Sequence, residues 1–290
     1  MPFTQPALEA LPRHPVIIGG SREESGNGET VRHIYPGTGA VTREIRMAGP
    51  GDVDRAAEAA RAAFPTWRAM PGDKRRNLFF KLAELLEAKA AEFGPSLIAE
   101  NGSLSMVAPY IGHDAAQKFR YFGGWADKIH GRTIPMWGAP AHDYVSYEPF
   151  GTIGIIIPWN GPLFAATMVL APALAAGNCV VLKSPELAPY SAMMLVELML
   201  EAGFPEGVVN GQGCVNGTRL LVQRSVYEPY LQMLVAMAGH INVGDPYDPA
   251  TTMGPVISES ALQRIVGMVD RGVDQGGRLV CGGKRLGGDH

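Results

Sequence analysis

The central part of the chain alternates between short apolar runs and helical patterns. Gly151–Ile157 (GTIGIII) and Cys179–Lys183 (CVVLK) are continuous hydrophobic stretches, which is typical of parallel strands buried on both faces. Phe204–Asn210 begins a third strand. The helix between the first and second strands ends at Ala176-Gly177, and the helix between the second and third strands covers Ser191–Ala202. This order predicts an α/β fold with one doubly wound parallel sheet, because right-handed crossovers bring successive strands together.

The pattern before this region predicts short strands and then helices. Strands are expected at Val16–Ile18, Val31–Tyr35 and Ala40–Met47. An alanine-rich helix is expected to begin with Asp52 as its cap and to run to about Phe64. A second helix begins near Pro71-Gly72-Asp73 and places four leucines on one face: Leu78, Leu82, Leu85 and Leu86. A further helix covers roughly 105–128.

Gly131 to Tyr147 alternates between apolar and polar residues and is interrupted by Gly138 and Pro140. This pattern predicts a long exposed hairpin. Because an isolated two-stranded arm is unfavourable in water, we expect it to form an oligomer contact.

The pattern after the central region predicts a mixture of strands and helices. Strands are expected at Thr218–Val222 and Arg278–Cys281, and helices at Val226–Ala238 and Ser258–Gln275. Ser258 is the expected cap of the last helix.

Composition excludes several classes of protein. The 290 residues carry a formal net charge of −3 with scattered Lys and Arg, which gives no footprint for nucleic acid. No apolar run is long enough to span a bilayer, and the first residues lack the pattern of a signal peptide. Neither the three cysteines nor the seven histidines show metal-ligand spacing, so no metal is expected. A reduced, cytoplasmic compartment fits the cysteine usage best.

The stretch GVVNGQGCVNGTRLLV, residues 207–222, contains both a glycine pattern and a cysteine. A dinucleotide-binding glycine loop needs a helix directly after it, whereas Thr218–Val222 has the pattern of a strand, so this interpretation is disfavoured. Cys214 between glycines is a candidate nucleophile, since bared backbone N–H groups can stabilise an oxyanion. Cys179 lies inside an apolar strand and is expected in the core, and Cys281 is expected to have no role.

Five motifs occur in a family-specific order. They are IIIPWNGPL, APALAAGNCVVLKSPELAPYSA, EAGFPEGVVN, GQGCVNGTRLLV and GDPYDPATTMGPVIS. Together they resemble the aldehyde dehydrogenase superfamily, and the resemblance extends from about Val16 to the last residue. It implies NAD(P)-dependent oxidation of an aldehyde to a carboxylic acid through a cysteine thiohemiacetal. The implied fold is an incomplete Rossmann-like sheet plus part of the α/β catalytic domain.

The resemblance also implies roles for individual residues. Cys214 would attack the aldehyde carbonyl, and the Asn160 amide would donate to the developing oxyanion. Lys183 and Glu186 resemble the pair that contacts the adenosine ribose, although Lys-Ser-Pro-Glu here replaces the usual Lys-Pro-Ser/Ala-Glu. Four residues would line the cofactor side: Ile156, Ile157, Pro158 and Trp159. NAD is expected over NADP, because Glu186 would repel a 2′-phosphate.

The resemblance breaks after Asn210. In the family the chain continues there with a Gly-Ser/Thr-x-x-Gly helix start and with Glu-Leu-Gly-Gly-Lys, whose glutamate is the general base. Neither occurs in this sequence, and the family's Glu-Glu-x-Phe-Gly-Pro segment is also absent. We therefore expect an internal deletion after Asn210, a truncated C-terminus and impaired activity.

The expected organisation has four parts. Residues 1–130 form the helical part of the cofactor domain, 131–150 the hairpin arm, 151–210 the truncated Rossmann-like part, and 211–290 part of the catalytic domain with Cys214. A homo-oligomer, dimer or tetramer, is expected of a complete chain. Two alternatives stay open: a non-catalytic remnant that binds full-length subunits, and a cofactor-free cysteine esterase.

Overall fold

The computed structural model describes residues 11–12, 16–138, 140–210 and 227–286. Its strands are β1 (Val16–Ile18), β2 (Ser21–Glu23), β3 (Thr30–Ile34), β4 (Val41–Arg46), β5 (Arg132–Ile134), β6 (Asp143–Val145), β7 (Thr152–Ile156), β8 (Cys179–Lys183) and β9 (Val209–Asn210). Its helices are α1 (Pro50–Ala69), α2 (Gly72–Ala88), α3 (Ala90–Asn101), α4 (Ala108–Gly123), α5 (Pro162–Ala175), α6 (Tyr190–Ala202), α7 (Tyr227–Ala238) and α8 (Glu259–Asp274).

The first four strands form two antiparallel hairpins, β1 with β2 and β3 with β4. The strands predicted at Val16–Ile18, Val31–Tyr35 and Ala40–Met47 are confirmed, with small shifts of their ends. The pattern did not predict β2, which has only three residues and little burial.

Helix α1 is longer than predicted, and its first capping residue differs. Gly49 is the N-cap, and the Asp52 carboxylate three residues later accepts from the Gly49 N–H at 2.9 Å. Asp52 also accepts from the Asn27 N–H at 2.6 Å and pairs with Arg55. Asp52 therefore ties the helix start to a neighbouring loop, while the helix continues past Pro65 to Ala69.

Helices α2, α3 and α4 pack against one another, and each contributes one fully buried phenylalanine to the core: Phe79, Phe93 and Phe119. Phe79 of α2 contacts Phe119 of α4 and Phe204, with ring centroids about 5.5 Å apart. The predicted leucine face is confirmed by the full burial of Leu82 and Leu86. Residues 90–101 form a further helix, α3, which the sequence pattern did not predict.

Strands β7, β8 and β9 form a parallel sheet in that spatial order. Helix α1 packs against all three strands, and α5 packs against β8 and α6. The predicted strand–helix–strand–helix–strand unit is thereby confirmed, although the third strand is only Val209–Asn210.

The expectation that Gly151–Ile157 is buried on both faces is wrong. Thr152, Gly154 and Ile156 are exposed, and Ile156 is 76% exposed. Successive side chains of a strand point to opposite faces of the sheet, so these three alternate residues share one face, and that face of β7 is left uncovered among the described residues.

The predicted hairpin arm is present as β5 paired with β6. In the C-terminal part, α7 and α8 match the predicted helices, and the Ser258 hydroxyl caps α8 by accepting from the Ala261 N–H at 3.2 Å. Arg278–Cys281 is not a strand, because no strand within the described residues lies beside it to form a ladder. The strand predicted at Thr218–Val222 lies outside the described residues.

Candidate functional site

The carboxyl ends of β7 and β8 lie side by side. Ile156 is opposite Lys183 in the register, and the Ile157 N–H donates to the Lys183 carbonyl at 3.5 Å. In open parallel sheets ligands bind beyond these strand ends. The sheet thus brings Ile156 and Lys183 together at the carboxyl ends of its strands, although they are 27 positions apart in the sequence.

Lys183 and Glu186 form an exposed ion pair. Lys183 Nζ lies 3.0 Å from Glu186 Oε2, and both side chains are about half exposed. A hydrogen bond from its own backbone N–H and the Lys183 ammonium hold the pKa of Glu186 below its ordinary value. The carboxylate therefore stays ionised and open to solvent, as a group that accepts from a ribose hydroxyl must be. As an exposed i, i+3 pair it contributes little to stability.

The four predicted cofactor residues at the end of β7, residues 156–159, differ in exposure. Ile156 is 76% exposed, whereas Ile157 is 4% exposed and belongs to the main core. Pro158 and Trp159 are partly buried. An apolar surface for a planar ligand is therefore offered mainly by Ile156 and the loop that follows it.

Asn160 is exposed in the loop between β7 and α5. It lines a cavity of about 310 Å³ together with residues 101–104, Val107 and 252–255. This cavity lies where the C-terminal end of α3 meets a loop of the C-terminal part of the chain. An amide donor at the wall of such a cavity can reach the oxygen of a small bound carbonyl compound.

Asn101 positions the loop that carries Asn160, and the sequence did not identify it. Its Nδ2 donates to the Trp159 carbonyl at 3.1 Å, and its Oδ1 accepts from the Ser103 N–H at 3.1 Å and hydroxyl at 2.7 Å. The sequence feature that could have drawn attention to Asn101 is the pair Asn101-Gly102 at the end of α3, where Gly102 adopts φ 72°. That pair marks a helix end, but the contact to Trp159 depends on the tertiary fold.

A larger cavity, about 680 Å³, lies between the turn after β3 and the C-terminal helix α8. Its walls are mainly apolar, and it contains none of the predicted site residues. We therefore assign the candidate site to the strand ends and to the smaller cavity at Asn160.

Two of the three cysteines are described. Cys179 is fully buried in β8, and burial raises the pKa of its thiol to about 11. Cys281 is exposed. Cys214 lies outside the described residues, so its role as nucleophile stays a prediction.

Glu100 is fully buried near the C-terminal end of α3. Its Oε2 accepts from the backbone N–H groups of Tyr190 at 2.7 Å and Ser191 at 3.0 Å, at the start of α6. Burial raises the pKa of this carboxyl to about 7. Glu100 therefore caps α6 in this arrangement.

The described residues contain no cluster of three or more metal-ligating side chains. Within the same ranges, no helix has both the length and the apolar character that crossing a bilayer requires.

Comparison with known proteins gives one consistent family. The model of the family described as "Aldehyde dehydrogenase family" matches residues 23–210 and 209–290. Retinal dehydrogenase 2 of Homo sapiens is 31% identical over 373 residues, which covers 99% of this chain and 71% of the relative. The mitochondrial aldehyde dehydrogenase of Rattus norvegicus is 30% identical over 351 residues, covering 92% and 67%.

Solved structures agree. PnpE in complex with nicotinamide adenine dinucleotide is 30% identical with a TM-score of 0.83, and the match covers 94% of this chain and 72% of that one. An aldehyde dehydrogenase mutant from Bacillus cereus is 27% identical with a TM-score of 0.83, covering 93% and 72%.

The matches also locate a gap. The alignment with human retinal dehydrogenase 2 runs over 373 positions and the chain has 290 residues, so at least 83 positions face no residue of this chain. The family match breaks at residues 209–210, which are the strand β9. This confirms the predicted internal break after Asn210.

Proposed function

The chain belongs to the aldehyde dehydrogenase family of NAD(P)-dependent oxidoreductases, and from this premise we propose which part of the reaction this copy retains. Cys214 attacks the aldehyde carbonyl carbon, and the side-chain amide of Asn160 donates to the oxygen that becomes negatively charged. Lys183 and Glu186 hold the adenosine ribose of the cofactor. Complete turnover is impaired, because the sequence lacks the family's general base.

One observation carries this proposal. Asn160 is exposed at the wall of a cavity of about 310 Å³, in the loop directly after the strand whose end lies beside Lys183. A small aldehyde in that cavity would have its oxygen within reach of the Asn160 amide. It would also lie next to the carboxyl ends of β7 and β8, where the cofactor would bind.

The chemistry of the retained step is nucleophilic addition. The Cys214 thiolate forms a C–S bond to the carbonyl carbon while the π electrons move to oxygen, which gives a thiohemiacetal. An oxyanion donor such as Asn160 typically contributes about 3–4 kcal/mol to this step. NAD⁺, when bound, accepts the hydride that leaves the carbon. The thioester that remains on sulfur needs water to release the acid, and a base that activates the water accelerates this by about 10²–10⁴-fold.

Neither Glu100 nor Glu186 is suited to replace that base. The Glu100 carboxyl is fully buried and accepts from two N–H groups of α6. Glu186 is paired with Lys183, and its lowered pKa makes it a weak proton acceptor. Deacylation of Cys214 would therefore rely on unassisted water.

NAD is the proposed cofactor, with NADP as the alternative. The ionised and exposed Glu186 carboxylate suits a ribose 2′-hydroxyl and would repel a 2′-phosphate. Lys183 and Ile156 fit the adenosine half of the cofactor only. The substrate class is an aldehyde.

We also propose a homo-oligomer in a reducing, cytoplasmic compartment. The arm formed by β5 and β6 exposes Trp137 at 93% and Tyr144 at 68%, which are side chains that favour interfaces. Free Cys179 and Cys281 fit a reducing environment.

Acylation by an aryl ester tests the retained step without cofactor. The chain is incubated with 4-nitrophenyl acetate, and the modified cysteine is located by mass spectrometry. We expect acetyl-Cys214 in the wild type and none in Cys214→Ala, together with undetectable steady formation of NADH from aldehydes. Absence of acyl-Cys214 in a folded chain would favour the non-catalytic remnant, whereas NADH turnover at ordinary enzyme rates would overturn the proposed impairment.

A further inference from the structure

Strand β7 has one free edge within the described residues. The Cys179 N–H donates to the Gly151 carbonyl at 2.9 Å, and the Ile157 N–H donates to the Lys183 carbonyl at 3.5 Å. In a parallel ladder every second residue faces the same neighbour, so the odd-numbered residues of β7 face β8. Thr152, Gly154 and Ile156 therefore direct their N–H and C=O groups to the side where no described strand lies.

This edge lacks the features that protect natural sheet edges. Residues 150–157 contain no charged residue and no proline, and the structure has no bulge between β7 and β8. Phe150 is 96% exposed and Ile156 is 76% exposed. Edge strands are normally short or blocked by Lys, Pro or bulges, because a free apolar edge pairs with other chains. Strand β7 therefore has the sequence of an interior strand, with a neighbour on each side, although one side has no neighbour among the described residues.

The strand order indicates which neighbour is missing. The first three strands of the unit lie in the order β9-β8-β7, which corresponds to the order 3-2-1 of a doubly wound sheet. In such sheets the fourth strand lies beside the first, on its other edge. The family match is split at residues 209–210, which are β9, and the alignment with human retinal dehydrogenase 2 contains at least 83 positions that face no residue of this chain. The first strand after the break would therefore pair with β7.

We propose that the free edge of β7 is a docking site for a second polypeptide that carries the segment absent from this chain. The docked segment adds a strand parallel to β7 through Thr152, Gly154 and Ile156, and its apolar side chains cover Ile156 and Phe150. The alignment with human retinal dehydrogenase 2 contains at least 83 positions in all that face no residue of this chain, and a strand with its crossover helix needs only about a dozen residues or more. This docking rests on the family membership of the chain and is independent of the chemistry proposed for Cys214.

The experiment uses the full chain and a separately produced polypeptide, namely the positions of human retinal dehydrogenase 2 that face no residue of this chain. Binding is measured by titration calorimetry, and amide hydrogen exchange is followed across residues 150–157. We expect saturable binding and exchange at Thr152, Gly154 and Ile156 that slows by at least about tenfold. Absence of binding would overturn the proposed docking. Slow exchange of these three amides in the free chain would also overturn it, because the edge of β7 would then already be covered.

Two neighbouring proline substitutions form a matched pair. Thr152→Pro removes an N–H directed to the free edge, so we expect at least about tenfold weaker binding and an unchanged Tm of the free chain. Ile153→Pro removes an N–H directed to β8, so it should lower the Tm of the free chain itself. Binding by Thr152→Pro equal to the wild type would contradict edge pairing.

Ile156→Glu supplies a second test if Thr152→Pro does not fold. The charge would lie on the exposed side of β7, and we expect the same loss of binding with a folded free chain. Sedimentation of the chain alone completes the experiment, since slow exchange at β7 that appears only in a self-associated form would assign the edge to a second copy and overturn the proposed partner.

Discussion

The environments of single thiols decide which cysteine reacts. Thiolate, not thiol, is the nucleophile, and burial raises the pKa of Cys179 to about 11. We therefore expect limited iodoacetamide treatment to modify Cys214 first and Cys179 last, with the exposed Cys281 between them. Peptide mapping identifies the order. Earlier labelling of Cys179 or Cys281 would count against Cys214 as the nucleophile.

The amide of Asn160 is expected to act as a hydrogen-bond donor and not through its shape. Asn160→Ala should slow acylation of Cys214 by about 10²–10³-fold, as the loss of one oxyanion donor does in other enzymes. Asn160→Asp keeps the size but replaces the donor by an acceptor, so it should be at least as slow. Rates of 4-nitrophenolate release measure both. An Asp variant with wild-type rate would exclude the oxyanion role.

The capping contact between α3 and α6 gives a pH dependence at the level of elements. Burial raises the pKa of Glu100 from an ordinary 4.5 to about 7 in the folded chain, so the protonated form is favoured by folding. Its contribution to stability is complete below pH 4.5 and is lost as pH rises through 7. Between pH 6 and 8 this loss is about 1 kcal/mol in the free energy of unfolding.

Glu100→Gln should remove that loss, because the amide does not titrate and can still accept from the start of α6. Urea unfolding at pH 6 and 8 measures the difference. Burial also lowers the pKa of His33 from 6.5 to about 4, so the stability that the neutral imidazole contributes is lost as pH falls below 6.5, by about 1 kcal/mol between pH 8 and pH 6. This opposite trend is common to both proteins, so the difference between the wild type and Glu100→Gln at each pH isolates Glu100. An equal decline with pH in both proteins would refute this assignment to Glu100.

The hairpin arm is expected to mediate self-association. Trp137 and Tyr144 are exposed large aromatics on or beside β5 and β6. The double variant Trp137→Ser, Tyr144→Ser should shift sedimentation towards the monomer while circular dichroism stays unchanged. Tyr121→Ser, a change of an exposed aromatic on α4, is the control. A monomeric wild type would contradict the proposed oligomer.

At the scale of the whole molecule, the break after β9 concerns the cofactor site, because the motifs that would contact the pyrophosphate and the nicotinamide do not occur in this sequence. In the proposed site Lys183 and Glu186 contact only the adenosine end of the cofactor, so we expect NAD to bind more weakly than micromolar in titration calorimetry. Insertion of the absent segment of a full-length relative after Asn210 should restore binding, and Glu186→Gln in that restored chain should weaken it. Micromolar binding by the chain alone would show that the missing contacts are dispensable.

Much of the fold follows from local pattern. The apolar run of β8, the leucine face of α2 and the Ser258 cap of α8 are each set by residues close in sequence, and the structure confirms them. The ordered motifs around Asn160 and Lys183 identified the family and the break after Asn210, because the sequence that should follow is simply absent from the chain.

Tertiary structure alone decided the features that depend on neighbours. An apolar strand such as β7 has the same sequence whether one or both of its faces are covered, so only the tertiary structure shows that Ile156 is exposed. Arg278–Cys281 has the composition of a strand, but a strand exists only where a partner completes its hydrogen bonds. The contacts of Asn101 with Trp159 and of Glu100 with α6 join residues 58 and 90 positions apart, distances over which a local pattern carries no information.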